Sequence, residues 1–147
     1  MLALDRLTSE LDTLFGVPLL DEDPIKRWVE AVYRGIGYDH IRAFEADFCR
    51  RGNGLMLRAG ARVGRVFRAT FPAPQVLESL LAMDPGESLL FLHHPIDMEV
   101  AGEGFLPVRP DLLARLREAG VSVYSCHAPL DCHPRIGTNA AIVAAFG

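Results

Sequence analysis

Two short stretches of the sequence carry residues of metal-ligand type. His93 and His94 stand side by side and are followed by Pro95; Cys126-His127 is followed by Ala128-Pro129-Leu130-Asp131. Imidazole nitrogen together with carboxylate oxygen is the donor mix of zinc, iron and manganese sites. Each residue also has an ordinary structural use. His127 fits a partly buried imidazole bonded to backbone, Asp131 fits a turn cap, and Cys126 and Cys132 fit either small buried side chains or direct ligands. His133 repeats the Cys-His pattern, but Pro134 follows it, and a surface position suits it equally. The combination is harder to explain by packing alone than any one of its members.

The elements that must position these residues follow from periodicity. Ser88–Leu92 is a short apolar run, as expected of a strand covered on both faces. Leu112, Leu113 and Leu116 stripe a helix that starts at Pro110 and closes at Gly120, and Val121–Ser125 reads as the next strand. Strand, helix and strand make a βαβ unit, so the two strands run parallel and end at one sheet edge. Ligand sites in open α/β sheets lie beyond those carboxyl ends. Adjacent histidines on a regular strand point to opposite faces. They converge only where the strand stops, and Pro95 restricts His94 to extended backbone there while breaking the ladder. Pro129 is expected to hold His127 and Asp131 off a regular helix, in a loop curling back over the strand end.

Upstream, Leu4, Leu7, Leu11 and Leu14 have the spacing of an amphipathic helix stopped by Gly16-Val17-Pro18. Asp23 as N-cap and Pro24 at the first helical position open a second helix, through Tyr33 to Gly35 and Gly37. From there to Asp47 the spacing mixes helix and strand. Arg51-Gly52-Asn53-Gly54 is a turn, Leu55–Arg58 a short strand and Val63–Phe71 another. Val76, Leu77, Leu80 and Leu81 stripe a helix, Asp84-Pro85-Gly86 turns the chain, Asp97–Pro107 is a loop, and a last helix runs from Thr138 to Phe146. The expected fold class is α/β, a mixed, largely parallel sheet with flanking helices, in a single domain over 1–147 whose first 50 residues are mainly helical.

Composition narrows the function. The 147 residues are 50% hydrophobic and 23% charged, which excludes disorder. A net charge of −4 argues against a nucleic-acid binder. There is no apolar run of about 18 residues to span a membrane and no secretory signal pattern. The 3 cysteines argue against a disulfide scaffold. A cytoplasmic protein is expected. Nucleophile-elbow serine and Walker-type glycine loops are absent. Arg50, Arg51, Arg58, Arg62, Arg65 and Arg68 make the middle of the chain basic. They form either a solvated strand face or a grip for an anionic substrate, with Arg65 and Arg68 the candidates for the latter.

Taken together, Ser88–Pro95, Val121–Asp131 and Gly137-Thr138-Asn139 resemble the NIF-three-like family, dinuclear-metal proteins also called GTP cyclohydrolase type-two-like. That family has an apolar strand ending in His-His-Pro, a second ending in His-x-x-x-Asp, and Gly-x-Asn before a helix. Asn53-Gly54-Leu55 is similar to its early Asn-x-Gly-Leu element, without the tryptophan-aspartate lead. The resemblance covers residues 50–147 and implies one half of the NIF-three-like fold. It implies that His93 and His94 ligate different ions of a pair, that Asp131 binds or bridges them, and that His127 is a ligand, a partner to one, or the catalytic proton shuttle. Members usually continue into a second half with a His-x-x-x-Glu pair, which does not occur after Asp131 here. Asp97, Glu99, Glu103 and His133 are the local substitutes. The implied function is a metal-dependent hydrolase holding one or two zinc, iron or manganese ions. It would act through an activated water on a nucleotide or other phosphorylated small molecule, as a ring-like homo-oligomer. The alternatives are a non-catalytic metal-binding or regulatory subunit, and an interaction module whose histidines are incidental.

Overall fold

The computed structural model describes residues 1–97 and 104–146. In chain order these form β1 (Leu2–Ala3), α1 (Leu4–Phe15), a 3-10 turn at Val17–Leu19, α2 (Asp23–Gly35), α3 (His40–Ala43), α4 (Ala46–Arg51), β2 (Gly54–Leu57), β3 (Arg62–Val63) and β4 (Arg65–Ala69). Then follow α5 (Pro74–Ala82), β5 (Ser88–Leu92), α6 (Pro110–Glu118), β6 (Val121–Ser125), α7 (Ala128–Asp131) and α8 (Thr138–Phe146). Strands β4, β5 and β6 are parallel, and β2 runs antiparallel beside β6, giving the order β2-β6-β5-β4. The sequence-based expectation of a mixed, largely parallel sheet with flanking helices holds.

The central strands are apolar on both faces because both faces are covered. Leu90, Leu92, Val121 and Val123 pack with α2, α4, α5 and α6 through Ile25, Val29, Phe48, Leu77 and Leu112. Leu89, Tyr124 and Cys126 point the other way, into a second cluster with Leu4, Val17 and Val63. Tyr33 is fully buried in the first cluster; its hydroxyl accepts from the Val108 amide at 3.2 Å, and burial raises its pKa well above the ordinary tyrosine value.

Several boundaries differ from the pattern reading. The inward stripe of α1 closes on Phe15, while Leu14 is 47% exposed. Glu22, not Asp23, is the N-cap residue of α2. The ambiguous stretch after Gly37 is two short helices, α3 and α4, with Asp39 capping the first by accepting from the Arg42 amide. The expected strand Val63–Phe71 is divided at Gly64: Arg62–Val63 pairs with β1, whereas Arg65–Ala69 pairs with β5. Among the described residues no helix is long and apolar enough to cross a membrane.

Candidate metal centre

Parallel pairing carries β5 and β6 to the same edge, with Leu92 opposite Ser125. Beyond β5 the ladder persists for two more residues, the His93 and His94 amides donating to the Ala69 and Thr70 carbonyls at 3.2 and 2.9 Å. Pro95 has no amide with which to continue it. Beyond β6, the Cys126 amide donates to Leu92 at 3.0 Å, and the backbone then breaks at His127 (φ −95°, ψ −100°). Residues 128–131 are a helical turn, not the open loop expected. Pro129 lies within its first two positions, where a missing amide costs no helical bond. The turn folds Asp131 back over the strand ends.

The consequence is a triangle of imidazoles. Ring centroids are 4.4 Å apart for His93 and His94, 4.6 Å for His94 and His127, and 4.8 Å for His93 and His127. One ring nitrogen from each lies within 4.8 Å of the others. Asp131 Oδ2 is 3.5 Å from His93 Nε2. Its Oδ1 is buried and, among the described residues, accepts no hydrogen bond. A buried carboxylate oxygen without a donor is costly unless a cation completes it. The donor set, three imidazoles and a carboxylate, is also that of a divalent transition ion. On both counts the residues present fit a metal.

The electrostatics prepare these rings as donors. Nδ1 of His93 donates to the Cys126 carbonyl at 3.1 Å, so Nε2, on the Asp131 side, is the nitrogen that carries the lone pair when the ring is neutral. Burial, with His93 and His127 close by, lowers His94 to about 4, so it is neutral at physiological pH. Its ring stacks on Phe71 at 4.3 Å and 12°. His127 donates from Nδ1 to Glu22 Oε1, a contact that raises its basicity, and its Nε2 is thereby the unprotonated nitrogen when the ring is neutral.

Glu22 is the functional residue that pattern reading misses. It is 8% exposed, and its Oε2 accepts from Asn53 Nδ2 at 2.9 Å and from the Ala128 amide at 3.1 Å. Burial raises its carboxyl, but the bonds from His127, Asn53 and Ala128 outweigh that and hold it below the ordinary range. Asn53 in turn accepts the His127 amide on Oδ1 at 2.7 Å. Because β2 is antiparallel to β6, its start, Gly54, lies opposite Ser125, and this brings Asn53 to the edge where the histidines are. The carboxylate–imidazole pair has the form that fixes tautomer and ring orientation in metal sites.

Other candidates are placed elsewhere. Arg65 opens β4 opposite Ser88, at the amino edge of the sheet, about 17 Å of strand from His93. Its guanidinium donates to the Asp84 carbonyl at 2.6 Å and to that of Pro85. Arg68 lines a cavity that His93 also lines. Asp97 pairs with Leu106 and lines a separate cavity. His133 Nδ1 accepts the Arg135 and Ile136 amides at 3.2 Å, holding the turn before α8. Cys126 packs in the second core cluster, with burial pushing its thiol up to about 12, and Cys132 is exposed. Glu99 and Glu103 lie outside the described residues.

Gly137 closes the turn after Asp131. A Cβ there would meet the His133 and Leu130 carbonyl oxygens at 2.5 Å and that of Asp131 at 2.9 Å. Those are backbone atoms that cannot swing aside. Gly137→Ala is therefore expected to cost about 2 kcal/mol of unfolding free energy, read by urea denaturation, through overpacking against the α7 turn.

The same order of elements occurs in known proteins. Over residues 45–147 the sequence matches the family model described as Duf34/NIF3 (NGG1p interacting factor 3). The chain is 27% identical over 122 residues to a Deinococcus radiodurans protein named GTP cyclohydrolase 1 type 2 homolog, covering 76% of this chain and 44% of that one. A Vibrio cholerae protein of the same name is 25% identical over 101 residues, covering 69% and 38%. The chain thus spans less than half the length of these curated relatives. A solved structure described as protein ybgI, of unknown function, superposes with a TM-score of 0.64 at 18% identity, over 99% of this chain and 47% of that one. TTHA1606 from Thermus thermophilus gives 0.50 at 23%, over 87% and 48%. At these identities the two structures speak for the fold. The match over most of the chain, running from the helix before Asn53 through both histidine-bearing strands, decides the family: the chain belongs to Duf34/NIF3.

Proposed function

We propose that this chain is a metal-dependent hydrolase-like protein. In this reading it holds one or two divalent zinc, iron or manganese ions and acts on a small, phosphorylated substrate. The observation that carries this is the convergence of His93, His94 and His127 on one point beside the orphaned Asp131 oxygen. The name shared by the curated relatives agrees with chemistry on a nucleotide or related compound. His93, His94 and Asp131 would hold the ion. His127 would either join them through Nε2 or, left unligated, carry a proton between substrate and solvent on that nitrogen, with Glu22 balancing the imidazolium charge. When bound, the ion supplies Lewis acidity, polarising an oxygen of the substrate. Arg68 would neutralise substrate charge. A cytoplasmic homo-oligomer accords with the same family reading.

A second reading has a specific observation behind it. Three imidazoles and Asp131 already make four donors, enough to close a tetrahedral ion with no position left for substrate. That arrangement suits a storage or regulatory subunit. Elemental analysis of purified protein decides the first point: stoichiometric transition metal is expected in the wild type and its loss in His94→Ala and Asp131→Asn. Absence of metal from the wild type sinks both readings. A panel of phosphate esters and nucleotides with added manganese or zinc then separates them, turnover supporting the hydrolase and metal uptake without turnover the storage subunit.

A further inference from the structure

The cavity beside His93 has a volume of about 610 Å³, within the range of small-molecule sites. Its walls are of two kinds. Phe15, Phe91, Leu130 and Ile136 are apolar, with the Phe15 and Phe91 rings 5.9 Å apart. The polar side chains are Arg68, Thr70, Thr138 and His93, of which the arginine and the two threonines can donate into it. Arg68 is the one residue of fixed formal charge among the described residues lining it, and no carboxylate or amide side chain is present among them.

We propose that this cavity binds a small organic phosphate monoester with an apolar or aromatic body, the phosphate held by Arg68 and the body lying against Phe15, Phe91 and Ile136. The charge follows from Arg68: a cation in a wall without acids selects an anion, and guanidinium matches phosphate oxygens two at a time. Hydroxyl donors beside it suit a group with three oxygens better than a carboxylate with two. The body follows from the apolar side of the wall, where Phe15, Phe91, Leu130 and Ile136 have nothing to pair with a polar ring edge. Reading guanine requires an acceptor for its N1–H and exocyclic amine, and a carboxylate or amide side chain is the usual supplier. A purine nucleotide recognised at its base edge is therefore the wrong shape of chemistry for this wall. The inference rests on the small-molecule reading above and sharpens it: His93 belongs both to this wall and to the imidazole triangle, so a ligand here lies against the metal centre.

The test is calorimetric titration of the EDTA-treated chain with phenyl phosphate, inorganic phosphate and GMP, in the wild type, Arg68→Gln and Ile136→Glu. Because no ion is needed, the result does not depend on whether the metal reading holds; metal content of the untreated protein reports on that separately. Phenyl phosphate is expected to bind saturably and at least about tenfold more tightly than inorganic phosphate, the difference coming from burial of its ring. Arg68→Gln should lose about tenfold or more. Ile136→Glu, altering a side chain 54% exposed, should repel the anion without touching the core and lose a similar factor. Binding unchanged in both variants, no saturable binding of phenyl phosphate, or tighter binding of GMP than of phenyl phosphate overturns the proposal.

Discussion

Glu22→Gln is expected to weaken divalent-ion binding roughly 10- to 100-fold, the usual loss when the partner of a ligating imidazole is removed, while the four-stranded sheet stays folded. The glutamine keeps the shape but not the acceptors. Glu22 receives three donors, His127 Nδ1 on Oε1 and both Asn53 Nδ2 and the Ala128 amide on Oε2. An amide has one acceptor oxygen, so either His127 or the Asn53–Ala128 pair faces an NH₂ group. If His127 loses its acceptor, its tautomer is no longer fixed and Nε2 no longer stays free toward His93 and His94. The stability cost in metal-free protein should be about 2 kcal/mol, the penalty of a buried donor left without a partner.

The pH dependence of that cost has a definite sign. His127 is raised in the folded protein, so its share of stability is fully present below the ordinary histidine value of about 6.5 and is lost as pH rises through the folded value. Glu22 is lowered, so its share is present above the ordinary value of about 4.3 and is lost as pH falls through the folded one. The difference in unfolding free energy between wild type and Glu22→Gln, measured by urea denaturation in EDTA, should therefore be largest between roughly pH 4.5 and 6.5. A difference that is flat across pH 4 to 8 would show that the pair is not ionised as described.

Zinc at about a thousandfold above its dissociation constant should raise the unfolding free energy by about 4 kcal/mol. For a domain of this size that is a rise in Tm of roughly 8 to 16 °C. EDTA should reverse it, and His94→Ala and Asp131→Asn should abolish it. His94 is the most informative of the three imidazoles because it is neutral at physiological pH and stacked on Phe71, so its removal subtracts a ligand without a buried charge. Asp131→Asn is the complementary change. Oδ1 of Asp131 is buried and unpaired among the described residues, so in the metal-free protein the substitution should be neutral or stabilising, because it removes a partly buried charge whose near partner is the His93 ring at 3.5 Å. A variant less stable without metal yet still stabilised by zinc would count against Asp131 as a ligand.

How far the pattern of residues reaches is clearest at the two central strands. Ser88–Leu92 and Val121–Ser125 are read to the residue from apolar runs, because strands buried on both faces have no freedom to be polar on either. The parallel pairing follows from the helix between them, and with it the meeting of His93, His94 and His127 at one edge. Reading fails where a short-range signal has two uses. Asp23-Pro24 looks like a complete helix start, which leaves Glu22 outside the helix as an apparently idle residue, yet Glu22 reaches a histidine 105 positions away. Asn53 looks like half of a turn and is the clamp on His127. Pro129 looks like a helix breaker and is the start of the α7 turn. Arg65 and Arg68 look alike, three residues apart on one strand, and stand toward opposite ends of it.

The order of residues alone thus determined the donor types, the parallel core that gathers them and the family to which the chain belongs, since hydrophobic periodicity and motif spacing are local properties. Only the folded chain decided that Glu22 and Asn53 orient His127, that Arg65 is spent on the Asp84–Pro85 turn, and that Arg68 faces a cavity sharing His93 with the imidazole triangle. Those contacts join segments far apart in sequence, and a buried carboxylate or a strand-end arginine acquires its role from what the sheet brings beside it.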